Sequence, residues 1–312
     1  MGSFFLAFNA VMPMVILVGF GYFLKEFHYL DQTTILKLNK LCVDLLLPIL
    51  TFNNIRKTRL SDIFDLHFIL YAAGSIFAAI FLLMVLVPFI EKDRKKQGVI
   101  VQGSFRSNFI MLGIPLSTYI AGEASTAIAS MLIMVIIPIF NGSAVVLLSY
   151  YGGKIVSKKN LIIGILKNHM VAASLIGIAA SVIQLQLPAF IDKPFLDIGK
   201  IGSTLPIIIL GSMLDFSKIS ANRKNLIITI MGKLIGMPLV FLTIAIILGF
   251  GANKIAALIA LYSSPTAVIS VMMAHQFDCD YELAAQVVAF STVVSCITIF
   301  ATVFLLNFIG II

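Results

Sequence analysis

The sequence predicts an all-α polytopic membrane protein of ten transmembrane helices folded as two five-helix copies, and three observations carry that prediction. Of the 312 residues, 60% are hydrophobic and 12% charged, with a mean hydropathy of +1.07, against about 45–50% apolar content in soluble domains. Stretches free of Asp, Glu, Lys and Arg recur at about the 20 residues a bilayer demands. Two of the spans are interrupted by proline and small polar side chains at matching places in the two halves of the chain.

Uncharged stretches run over residues 1–24, 66–90, 124–153, 168–191, 255–277 and 283–312. The first lacks a basic leading segment and outruns a signal-peptide core, so it reads as a retained helix. Four further spans carry charges: 33–55 with Lys37, Lys40 and Asp44, 97–122 with Arg106, 198–214 with Lys200, and 225–251 with Lys233. Spans two and seven read as the short pair.

The formal net charge of +8 does not point to nucleic acid, because its cations sit mostly in short loops. With both termini outside the cell membrane, the inner loops hold Lys25, Lys92, Arg94, Lys95, Lys96, Lys154, Lys158, Lys159, Lys218, Arg223 and Lys224. The outer loops then hold Arg56, Lys57, Arg59, Lys193 and Lys254. Eleven against five sets the orientation by the positive-inside rule. Cys42, Cys279 and Cys296 are too scattered for a disulfide or metal framework and read as small buried hydrophobes. The chain shows no Gly-rich phosphate loop, no His/Cys ligand spacing and no nucleophile beside a base. It therefore predicts no ATPase, no metal or cofactor and no enzyme, and any driving force comes from a gradient.

A polar, basic connection at 154–160 divides the chain into repeats over 1–153 and 161–312. Leu47-Pro48 corresponds to Leu205-Pro206, and the interrupted span with Pro115 to the one with Pro265. Five is odd, so the second copy enters from the opposite face. Paired interruptions in an inverted repeat mark a transporter site.

The runs Arg106-Ser-Asn108-Phe-Ile-Met-Leu-Gly113-Ile-Pro115 and Ser263-Ser264-Pro265-Thr266-Ala-Val, with Pro13, Gly19-Phe-Gly21, Leu47-Pro48, Leu205-Pro206, Gly211, Gln286 and Ser291-Thr, resemble the auxin efflux carrier (PIN-like) family, in a bacterial form without a long central loop. Asn168-His169 departs from it, since the family shows Asn-Pro there. The resemblance implies a fold like that of sodium/proton antiporters and bile-acid symporters, with helices four and nine crossing. It also implies a scaffold of helices 1, 2, 6 and 7 that forms a homodimer, and a moving unit of helices 3–5 and 8–10. The implied substrates are small organic anions: malate, malonate or auxin-like carboxylates.

The residues themselves support an anion. Pro115 and Pro265 each remove a donor and crowd the carbonyl four residues back, Met111 and Leu261. Half-helices opening after them aim free N–H groups and about half a positive charge at the break, which suits a carboxylate. Asn108, Gly113, Ser263, Ser264 and Thr266 line that break on neutral groups, and Asn141 is a further candidate contact. Arg106, about 13 Å before Pro115 at 1.5 Å per residue, either attracts substrate, pairs with an acid or snorkels to the interface, and Lys233 shares the ambiguity. Asp44 either carries protons or pairs with Lys40 one turn away, the pairing being favoured. Gln286 completes the coupling candidates, with proton or sodium as the ion. His67, His169 and His275 fall near predicted helix ends and read as interfacial. A sodium-coupled bile-acid-type symporter is the alternative, and a membrane receptor or channel the alternative of another class.

Overall fold

Helices account for most of the residues that the computed structural model describes, 2–57, 64–153, 169–214 and 222–312. The connector at 154–160 and its lysines, with Arg59, Asn168 and Lys218, lie outside the described residues. α1 covers Gly2–Glu26. α2 (Gln32–Leu41) widens into a π turn over Cys42–Leu46 and continues as α3 (Leu47–Arg56). α4 is Leu66–Ile90 and α5 Arg94–Phe105. A π turn at Phe109–Gly113 leads into α6 (Ile114–Gly152), which bends sharply at Ala121 and Gly122. α7 is His169–Val182 and α8 Ala189–Ser212. α9 (Arg223–Met231) passes through a π turn at Gly232–Gly236 into α10 (Met237–Ile247). α11 (Ala252–Ser263), α12 (Ile269–Gln276) and α13 (Tyr281–Phe308) follow.

Among the described residues, six helical runs are long and apolar enough to cross a membrane, so the chain is an all-helical membrane protein. α8 starts at Ala189, just after Pro188, and not at 198 as the charges suggested. Arg56 meets Asp192 in a direct ion pair, which admits the acid to the helix. Neither Gln32–Arg56 nor α8 is short.

Each π turn stands directly before a proline. The Leu47, Ile114 and Met237 N–H groups reach back five residues, to the carbonyls of Cys42, Phe109 and Gly232, and Pro48, Pro115 and Pro238 come next. A proline ring collides with the carbonyl four residues back in a regular helix. The wider turn carries that carbonyl aside, so the helix bends without ending.

Apart from a bond from Asn54 Nδ2 to Ser130 Oγ, the polar cross-links named here fall into two sets. In the first, Arg56 meets Asp192, Asn53 Nδ2 donates to the Phe195 carbonyl at 2.7 Å, and Lys25 Nζ to that of Leu214 at 2.6 Å. Asp44 stands 3.5 Å from His169. These join α1, the α2–α3 run, α7 and α8. The second set joins α4 to α6 and α9 to α13 with their loops. Lys95 pairs with Asp278 at 2.8 Å, and Lys254 with Asp65 at 2.6 Å. Asn225 donates to Glu91, Tyr71 to the Phe241 carbonyl, and Ser75 and Tyr262 share a bond of 2.5 Å. The favoured Lys40–Asp44 couple does not form. His169 takes its place because α7 packs against the same π turn.

Asp65 caps α4, accepting from the Phe68 N–H at 3.1 Å. The Lys254 ammonium, with that N–H, holds its carboxyl below the usual carboxylate range. A lowered value means the contribution is present above the ordinary carboxylate range and fades as pH falls through it. Asp65→Ala should therefore cost about 1 kcal/mol at neutral pH, the worth of a helix cap. In thermal melts the gap from the parent protein should close in acid.

Candidate functional site

Both interrupted runs open completely, and they pair with each other at the opening. α5 ends at Phe105, and the next π turn begins at Phe109; between them Arg106 is extended (φ −80°, ψ 111°). α11 ends at Ser263, and Ser264 before Pro265 is extended too (φ −63°, ψ 146°), the conformation a following proline imposes. Ser107 and Thr266 face one another as an antiparallel bridge. The Asn108 N–H donates to the Pro265 carbonyl at 2.7 Å and the Ala267 N–H to the Arg106 carbonyl at 3.3 Å. Backbone groups that a break would orphan in the apolar interior thus satisfy each other.

The break in the first run is therefore at Arg106–Asn108, and Pro115 lies beyond it inside the resumed helix. The half-helices open at Phe109 and Ile269, neither with a side-chain cap. Arg106 moves correspondingly from the span's periphery to its interruption. It is 4% exposed, donates from Nη1 to the Phe140 carbonyl at 2.9 Å and from Nη2 to Asn141 Oδ1 at 2.6 Å, and has no carboxylate partner among the described residues. Asn141, expected as a possible substrate contact, orients the guanidinium. Lys233 does not snorkel either. It is fully buried in the third π turn, and its Nζ has no hydrogen-bond partner among the described residues. The neutral lining expected from the sequence is thus accompanied by two buried basic side chains, Arg106 and Lys233.

Hydrogen bonds separate the hydroxyls and amides already engaged from those without a partner. Thr266 donates from Oγ1 to the Gly103 carbonyl at 2.7 Å, and its N–H is bound by Ser291 Oγ at 3.1 Å. Ser264 donates to the Ala260 carbonyl at 2.6 Å. Asn108 Nδ2 and the hydroxyls of Ser263 and Ser270 are buried with no partner among the described residues. Gly113 lets the two runs touch: a Cβ there would stand 2.9 Å from the Ala260 carbonyl oxygen. Gln286 is buried on α13, five residues before Ser291. Asp44 belongs elsewhere, in the first polar set, beside His169. Sequence reading passed over Ser107, which supplies half of the bridge, although it lies between Arg106 and Asn108. It also did not weigh Ser75, whose only mark was a hydroxyl in an apolar span.

Among the described residues no group of three or more His, Cys, Asp or Glu side chains gathers as a metal site. The opened runs carry a guanidinium, the Asn108 amide and the Ser263 and Ser270 hydroxyls, and two helix starts without side-chain caps, all groups of a kind that binds anions.

No curated protein matches the chain. The family described as membrane transport protein matches residues 6–303, nearly the whole chain including both interrupted runs, and the protein therefore belongs to that family, the one that includes the auxin efflux carriers.

Proposed function

We propose that the protein is a secondary carrier of small organic anions in the cell membrane, and that it holds the substrate carboxylate where the two opened runs pair. The observation that carries this reading is Arg106, wholly buried at the pairing with only neutral partners. A buried charge without a counter-ion is costly. A visiting carboxylate removes the cost and adds a two-pronged hydrogen bond. Lys233 places a second basic side chain in the turn that packs against α5, α11 and α13, which favours a dicarboxylate such as malate or malonate over a monoanion.

In this reading the chain makes ten spans as inverted repeats over 1–153 and 161–312, joined by a cytoplasmic connector at 154–160, with both termini outside. The first polar set is a scaffold that pairs with a second copy; the second set is a body that carries the site across the membrane. The two-set division of ion pairs supports this, because links within a body survive its motion. Asp44, Lys233 and Gln286 are the coupling candidates, with a proton as the driver, or a sodium ion in the symporter alternative.

Uptake of radiolabelled malate, malonate and indole-3-acetate into proteoliposomes, with proton, sodium and electrical gradients imposed separately, tests the reading. Saturable uptake of one anion, indifferent to sodium, is expected. Strict sodium dependence would select the bile-acid-type symporter, and ligand binding without flux a receptor.

A further inference from the structure

We propose that the hydrogen bond from Asn54 Nδ2 to Ser130 Oγ, 3.2 Å long, is a latch between the two polar sets that holds the observed arrangement and opens in every transport cycle. The inference rests on the carrier reading above. Asn54 belongs to the first set and is rigidly placed in it. Asn53 beside it is bound to the Phe195 carbonyl on α8, and Arg56 two residues on to Asp192. Ser130 belongs to the second set, fully buried on α6, the helix that also carries the Phe140 carbonyl and Asn141 holding Arg106. The bond therefore connects the fixed anchor of one set to the helix that positions the buried cation of the other.

On the α6 face that carries Ser130, one turn to either side, stand Thr126, Ala127 and Ile133, all buried. In lipid, burial from water supplies little attraction between such faces, so a directional hydrogen bond adds to the packing that resists displacement. One neutral intramembrane hydrogen bond biases two arrangements by roughly threefold. That is enough to set a resting state and too little to prevent turnover, as a latch requires.

The test uses N54C/S130C in a chain whose Cys42, Cys279 and Cys296 are replaced by alanine, reconstituted with whichever anion of the panel shows saturable uptake. Oxidation should cross-link the pair and abolish uptake, and a reductant should restore it. N54A and S130A should each change the uptake rate by roughly threefold, and the double variant no further. Failure to cross-link, or cross-linked protein that transports at the reduced rate, overturns the latch. If the unmodified chain carries no anion of the panel, the carrier reading falls and takes the latch with it; transport by a cysteine-free parent whose cross-linked form is unimpaired removes the latch alone.

Discussion

Arg106→Gln should abolish most transport while leaving a folded protein. The glutamine amide retains the means to meet Asn141 and the Phe140 carbonyl, both now bound by the guanidinium, so the local framework survives. What disappears is the charge. Loss of one partner from a buried charged contact costs about 2–5 kcal/mol, which predicts a fall in kcat/KM of at least roughly thirtyfold at 1.4 kcal/mol per decade. Arg106→Lys keeps the charge but loses the planar fork and should fall between the two. Uptake kinetics beside thermal melts decide the matter. A lowered melting temperature with unchanged uptake would make Arg106 a structural cation and remove it from the site.

Gly21→Ala should produce the largest loss of stability of any single methyl added to α1. A Cβ at Gly21 would lie 1.8 Å from the Ile208 carbonyl oxygen and 2.7 Å from its carbon, and one at Gly211 2.0 Å from the Val18 carbonyl oxygen. Both obstacles are backbone, so no rotamer change relieves them, and α1 and α8 must separate. The expected cost is at or above the upper end of the roughly 1–3 kcal/mol range for overpacked sites. Small residues at such crossings are what let helices associate in lipid, where burial from water supplies little attraction. Gly19→Ala is the internal control, because a Cβ there meets nothing within 4 Å and should leave the melting temperature nearly unchanged. Equal melting of the two variants would show that the close crossing is not needed.

How far the sequence told this in advance depended on whether the cause was local. Composition and the spacing of charge-free stretches are properties of each segment, and the apolar helices followed from them. The prolines were read correctly as disturbances, but where the chain opens is decided across the molecule. Pro115 is absorbed by a π turn, whereas Arg106–Asn108 unwinds because the Pro265 carbonyl and the Ala267 N–H are there to receive it. That displacement hid the place of Arg106. The Lys40–Asp44 pairing failed for a related reason: a rule for one helix could not know that α7 brings His169 to the same acid. Lys233 looked like a side chain able to reach the interface, and only the packing of α5, α11 and α13 around its turn encloses it.

The pairing at Ser107 and Thr266 has a consequence for how such proteins diversify. The two hydrogen bonds that close it, from Asn108 N–H and Ala267 N–H, use main-chain atoms alone. Those atoms are the same whatever side chains the positions carry. Replacements at 108 or 263 are thus free to alter the shape and polarity offered to a guest while the frame that presents them stays intact. In the carrier proposed above, a descendant chain would have room to change its cargo by single substitutions, without first passing through a misfolded ancestor.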